Sequence, residues 1–255
     1  MLTTPLQQVE LFHLLFVRHL GEKIDKRHFV LKGGPNLRFY FKSIRYSENI
    51  DLDVHIVSKE TLRTQVTKLL SSVQFQKTLA AHKLVVSDVT SPKQSETTQR
   101  WKLKIFGPAS SLPTPTKIEF SRRELGHVVF EPVNSDIITK YNLYPVLCSH
   151  YDRASCLSQK ISALAHRAQT QARDVFDLDL LLRNDSNDNL EVLPKGVIAK
   201  AIECLLSVSH SDYTSQVVAF LSTEYQDYFA TETAWNSMQE RVLAWLESLK
   251  MRAPL

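Results

Sequence analysis

Arg45-Tyr-Ser-Glu-Asn-Ile-Asp-Leu-Asp-Val54 alternates polar or acidic side chains with aliphatic ones from Ser47 onward. On a β-strand, successive side chains point to opposite faces. Ser47, Asn49, Asp51 and Asp53 therefore share one face, while Ile50, Leu52 and Val54 enter a core. Carboxylates gathered on one face repel each other, and a cation compensates them; hard divalent ions prefer oxygen ligands. Two-metal phosphoryl transfer uses such an arrangement, with ions ~4 Å apart, one activating the attacking hydroxyl and one bracing a triphosphate. Taken by itself, the D-x-D spacing more often describes a half-exposed edge strand with a solvated acidic face.

The residues upstream shift that balance. Phe29-Val-Leu31 reads as a short buried strand, Lys32-Gly33-Gly34-Pro35 breaks it, and Asn36 to Phe41 reads as a helical turn. Small residues between a strand and a helix let backbone N–H groups approach phosphate oxygens. A glycine turn followed by an acidic strand supplies both halves of a nucleoside-triphosphate site. A third acidic group is expected on a neighbouring strand. Glu119 in Thr116-Lys-Ile-Glu-Phe120 has that setting, with Ile118 and Phe120 facing inward. The reading requires Asp51 and Glu119 to converge beside Gly33 and Gly34.

Around this centre, Pro5 to Leu20 reads as a helix with Pro5 in its first turn, and Thr61 to His82 as another. Strands are expected at Lys83 to Val89, Arg100 to Phe106, Thr116 to Phe120 and Val128 to Val133. Helical periodicity dominates from Ala154 to Lys250, with a polar break at Asn184 to Asn189. The expected fold is α+β: a mixed sheet flanked by helices over residues 1–140, then a helical bundle over 141–255. The 255 residues are 43% hydrophobic with six glycines, which excludes fibrous and disordered classes. A net charge of +4 suits a phosphate-rich partner without requiring one. Three cysteines with no C-x-x-C pair point to a reducing compartment. Cys148, His150 and Cys156 lack the paired spacing of structural zinc. The apolar run Leu11 to Leu20 contains His13, Arg18 and His19, so neither a membrane span nor a signal peptide is expected, and the expected location is the cytoplasm.

The strings Phe29-Val-Leu-Lys-Gly-Gly-Pro-Asn-Leu-Arg38 and Arg45-Tyr-Ser-Glu-Asn-Ile-Asp-Leu-Asp53 resemble the AbiEii/AbiGii toxin family of nucleotidyltransferases, within the polymerase-β-like superfamily. The family's usual form is Lys-Gly-Gly followed by Ser-x-Asp-hydrophobic-Asp. This chain departs from it once: the first aspartate falls on Asn49, which keeps the shape and one carbonyl oxygen but loses the charge. A second signature lies in Gln159-Lys160-Ile-Ser-Ala-Leu-Ala-His-Arg167 and Gln171-Ala-Arg-Asp-Val-Phe-Asp-Leu178. Lys160, Arg167 and Asp174 recur every seven residues, so a continuous helix would keep them on one stripe. In the family, Lys-x-x-Ala-Leu-x-x-Arg followed by Arg-Asp-x-x-Asp-Leu marks the later motifs.

The resemblance implies transfer of a nucleoside monophosphate from a nucleoside triphosphate to a hydroxyl acceptor, with the 3′ end of tRNA preferred. Mg²⁺ is the implied cofactor, with Asn49, Asp51, Asp53 and Glu119 as its candidate ligands. Lys32, Gly33, Gly34, Ser47 and Arg38 are the candidate nucleotide-binding residues, and Asp51, Lys160 and Asp174 the catalytic ones. Lys160 would brace the triphosphate with Asp174 orienting it; Asp177 is expected to pair with Arg173 at i,i+4. Arg38, Lys42, Arg45, Arg122 and Arg123 are expected to gather near one opening. A cognate antitoxin is the implied protein partner. Asn49 also leaves open a catalytically impaired nucleotide- or RNA-binding protein on the same fold.

Overall fold

The computed structural model describes residues 4–183 and 193–253. The polar break expected at Asn184 to Asn189 lies outside the described residues. The chain is α+β, with a seven-stranded mixed sheet and eleven α-helices among the described residues. It divides into two compact units, one of residues 4–42 and 46–151, the other of 43–45 and 152–253. The first unit therefore ends later than residue 140, because the segment expected to begin the helical half first adds a strand to the sheet.

The first unit runs α1 (Pro5–Leu20), β1 (Phe29–Lys32), α2 (Gly33–Tyr40), β2 (Asn49–Val54), α3 (Lys59–Ser71) and α4 (Val73–Ala81). It continues through β3 (Val85–Gln94), β4 (Thr98–Gly107), β5 (Ser110–Ser121), β6 (Val128–Pro132), α5 (Ser135–Lys140) and β7 (Leu147–Tyr151). The strand order is β3-β4-β5-β2-β1-β7-β6. Two pairings are parallel, β2 with β5 and β1 with β7; the others are antiparallel. This order places the acidic strand β2 at the centre of the sheet, between β5 and β1, not at an edge.

Thr4 caps α1 by accepting from the Gln7 amide, and Pro5 fills the first turn, where its missing N–H costs nothing. Phe12, Leu15, Phe16 and Leu20 of α1 are fully buried with Ile50, Leu52, Trp101, Ile118 and Phe120 of the sheet in one core. The helix expected over Thr61 to His82 is two helices. Ser72 takes extended backbone angles and accepts from the Phe75 amide, so it caps a new helix rather than continuing the old one. In β4, Gln99, Trp101, Leu103 and Ile105 are buried while Lys102, Lys104 and Phe106 face solvent, a strict period of two.

The second unit contains α6 (Arg153–His166), α7 (Ala172–Leu182), α8 (Lys195–Leu206), α9 (His210–Gln216), a 3₁₀ turn (Val218–Phe220), α10 (Thr223–Phe229) and α11 (Glu232–Arg252). Asp152 caps α6 through the Ser155 amide, and Thr231 caps α11 through the Ala234 amide. Ile161, Leu164, Val175, Leu178, Ile198, Leu205, Val242 and Leu246 are buried, at the spacing of helices that each bury one face. Among the described residues, no helix is long and apolar enough to cross a membrane.

Candidate functional site

Four strands bring one charged row across the sheet. Asp51 on β2 is the register partner of Glu119 on β5 and of Lys32 on β1, and Glu119 in turn faces Arg100 on β4. Directly paired residues share a face, so the row reads Lys32–Asp51–Glu119–Arg100, with the two acids side by side and cations outside them. Arg100 Nε donates to Glu119 Oε2 at 2.6 Å, and Lys117 Nζ lies 3.4 Å from that oxygen and 3.9 Å from Asp51 Oδ1. Burial raises the Glu119 pKa, but the Arg100 hydrogen bond and the charges of Lys117 and Arg100 outweigh it, so the carboxyl sits below its ordinary value. The Asp51 side chain is 34% exposed, the most open carboxylate in the row.

Gly33 lies against this row. A methyl group added there would sit 3.7 Å from Asp51 Oδ2. Gly33 has φ +65°, in the left-handed region, so it acts as the turn that starts α2. That is an ordinary van der Waals contact, and the constraint is the backbone: Gly33→Ala is expected to cost about 1–2 kcal/mol from that φ alone, read as a lower denaturation midpoint. Lys32 takes the capping position of α2 but makes no side-chain cap hydrogen bond. The first-turn N–H groups, beginning with Gly33 and Gly34, therefore keep the anion-binding character of a helix start.

Asp53 is on the same face but is enclosed. Lys32 Nζ donates to its Oδ1 at 2.5 Å and the Tyr151 hydroxyl to its Oδ2 at 2.8 Å. Tyr151 is itself fixed, since its carbonyl accepts from Asn36 Nδ2 at 2.9 Å. Ser47 donates to the Asn49 carbonyl at 2.8 Å, stiffening the entry to β2. Behind Asn49, Thr116 donates to the Glu48 carbonyl at 2.7 Å. The Thr116 oxygen also meets His13 Nε2 at 2.9 Å, so the histidine must donate through Nε2. Burial lowers the His13 pKa to about 3, and the ring is neutral.

Two of the cations expected near one opening already have side-chain partners. Arg38 on α2 binds Glu10 of α1 at 2.5 Å and stacks over Tyr46 at 4.4 Å. Arg122 donates to Gln99 at 2.8 Å, and Arg45 belongs to the second unit.

In that second unit, Lys160 Nζ lies 3.0 Å from Asp174 and 2.5 Å from Asp177. Arg167 binds Asp174 at 2.6 Å, and Arg45 Nη2 lies 3.0 Å from both Asp177 oxygens. Both aspartates are fully buried. Desolvation works against Lys160 and Asp174 alike. The acids hold the Lys160 pKa above its ordinary value, and the bases hold the Asp174 pKa below its own. Lys160, Arg167 and Asp174 do meet, though not along a continuous stripe: Arg167 ends α6 in extended conformation and Asp174 opens α7. Asp177 pairs with Lys160 and Arg45 instead of the expected Arg173.

Among the described residues, no group of three or more His, Cys, Asp or Glu side chains is placed to hold a metal ion. Asp51 and Glu119 offer two carboxylates and Asn49 one neutral carbonyl. Mg²⁺ is commonly bound through one or two carboxylates, with substrate phosphates and water completing its shell. This donor set fits one such ion better than two.

A model of the family described as nucleotidyl transferase AbiEii toxin, type IV TA system, matches residues 14–244. No curated protein matches the chain. A crystal structure of JHP933 from Helicobacter pylori is similar over 99% of this chain and 97% of that one, with 17% identity and TM-score 0.58. A crystal structure of a nucleotidyltransferase described as putative, also from H. pylori, is similar over 94% and 95%, with 17% identity and TM-score 0.56. At these identities the likeness is one of fold.

Proposed function

The chain belongs to the AbiEii nucleotidyltransferase toxin family, described for type IV toxin–antitoxin systems, and on that premise we propose that it transfers a nucleoside monophosphate from a nucleoside triphosphate to a hydroxyl acceptor. The acceptor oxygen bonds to the α-phosphorus as the α–β bridging bond breaks, and pyrophosphate leaves. An RNA 3′ end, tRNA foremost, is the favoured acceptor. A cognate antitoxin would restrain the activity, and the setting would be the cytoplasm. The observation that carries this reading is the pairing of Asp51 with Glu119 in register beside Gly33.

Asp51 and Glu119, with the Asn49 carbonyl as a weaker donor, would hold Mg²⁺, which supplies charge neutralisation on the triphosphate and acidifies the acceptor hydroxyl. Gly33 and Gly34 would present amides to phosphate oxygens. Lys32 and Ser47 serve by shape in this reading: Lys32 is bound to Asp53, and Ser47 to the Asn49 main-chain carbonyl, which leaves the Asn49 side chain available. Asp53 is then a positioning residue, and Arg38, bound to Glu10, a brace for α2. Lys160, bound to Asp174 and Asp177, would act as a brace within the second unit.

Asn49 favours a second reading, a nucleotide- or RNA-binding protein with impaired chemistry. Incubating the protein and Asn49→Asp with each labelled nucleoside triphosphate, Mg²⁺ and total RNA separates the two. The transferase reading expects label in RNA, raised at least about tenfold by Asn49→Asp, since ligand charge tunes cation affinity. Two inert proteins that still bind nucleotide would leave only the binding reading.

A further inference from the structure

The solvent face of β3, β4 and β5 carries cations that the transfer reaction leaves unused. On β4, Arg100, Lys102 and Lys104 alternate with the buried Gln99, Trp101 and Leu103, so their directions are fixed by the core beneath them. Residues two apart on a strand stand about 7 Å from each other. Register adds Lys117 of β5 opposite Lys102, and Lys93 of β3 opposite Arg100. Lys102 and Lys93 are exposed and have no carboxylate partner among the described residues. Lys104 shares Asp88 at 2.9 Å in a largely exposed pair, which water leaves weak. Phe106 continues the same alternation, 37% exposed, at the far end of β4.

We infer that this sheet face is a track for a single-stranded nucleic-acid backbone, with phosphates on Lys93, Lys102, Lys104 and Lys117 and a base stacked on Phe106. Two features select nucleic acid over an acidic polypeptide. Lys102 and Lys104 stand about 7 Å apart along β4 with Lys117 and Lys93 on the strands to either side, and the Phe106 ring lies two residues beyond Lys104, a combination of cations and an aromatic ring by which strands are bound without sequence preference. The track ends at Arg100 and Lys117, which touch Glu119. It rests on the phosphoryl-transfer reading only for its direction: a strand lying on it would deliver its terminus to the Asp51–Glu119 pair.

The test is fluorescence polarisation of a labelled oligo(U) of about 15 nucleotides, with the full-length protein and its Lys102→Gln/Lys104→Gln variant across a salt series. Both lysines are exposed, so the thermal midpoint should be unchanged. Binding is expected to weaken about tenfold, and the slope of log affinity against log salt to become shallower by about 1.4, two phosphate contacts' worth. Unchanged affinity and slope would overturn the assignment, as would polyglutamate competing as well as the oligonucleotide. A protein that transfers no nucleotide, yet loses oligonucleotide binding in the double variant, retains the track and loses the reaction. Transfer abolished by Asp51→Ala, alongside unaltered binding by the double variant, does the reverse.

Discussion

Asp51→Ala is expected to lower label transfer from nucleoside triphosphate to RNA by about 10³-fold or more while leaving the fold intact. The carboxylate is the most open in its row, and its nearest cation, Lys117, stands 3.9 Å away. Removing it therefore takes little from stability. Its loss would leave Glu119 as the only charged oxygen donor, already engaged by Arg100 at 2.6 Å. Removing a group that stabilises developing charge in a preorganised site costs about 3–4 kcal/mol of barrier, equivalent to a factor of 10² to 10³, and loss of the ion itself would add to it. Transfer at the wild-type rate, with an unshifted thermal midpoint, would remove Asp51 from the chemistry.

Asp177→Ala should act on stability first. Alanine there would leave Lys160 and Arg45 buried with one carboxylate fewer between them, and Asp174 already serves Lys160 and Arg167. Breaking one side of a buried ion cluster typically costs about 3–5 kcal/mol, because the remaining charges stay desolvated. For a chain of this size that is a fall in thermal midpoint of about 10 °C, followed by circular dichroism. A fall of only a degree or two would mean that water reaches the cluster.

The central strand and its glycine turn were legible because their signals are local. Alternation from Asn49 to Val54 survives in any register, and Gly33 announces a backbone that other residues resist. Glu119 was legible for the same reason, through the alternation of Ile118 and Phe120. The partners of those groups were not. That Arg100 faces Glu119, or that Lys102 faces Lys117, is decided by how β4 and β5 slide against each other, and no short window encodes that. β7 escaped because Cys148 to Tyr151 are all buried with no alternation to read, as befits a strand hydrogen-bonded on both sides. The later motif shows a different failure. A seven-residue spacing named the right companions, Lys160, Arg167 and Asp174, yet they meet because the chain turns between two helices. Asp177 found its arginine 132 residues away, at Arg45, not four residues back.

That separation bears on how the protein is made. Residues 43–45 leave the first unit's chain path and count with the second, so Arg45 emerges from the ribosome on the order of ten seconds before Asp177 does at ordinary rates of synthesis. Throughout that interval the guanidinium lacks its acid, and the tether between α2 and β2 lacks its anchor. A nascent chain halted before residue 177, or one cut at the 151/152 boundary, would hold all seven strands while missing the fastening just upstream of Asn49 and Asp51. The ion pair that holds residues 43–45 to the second unit thus waits on the synthesis of α7.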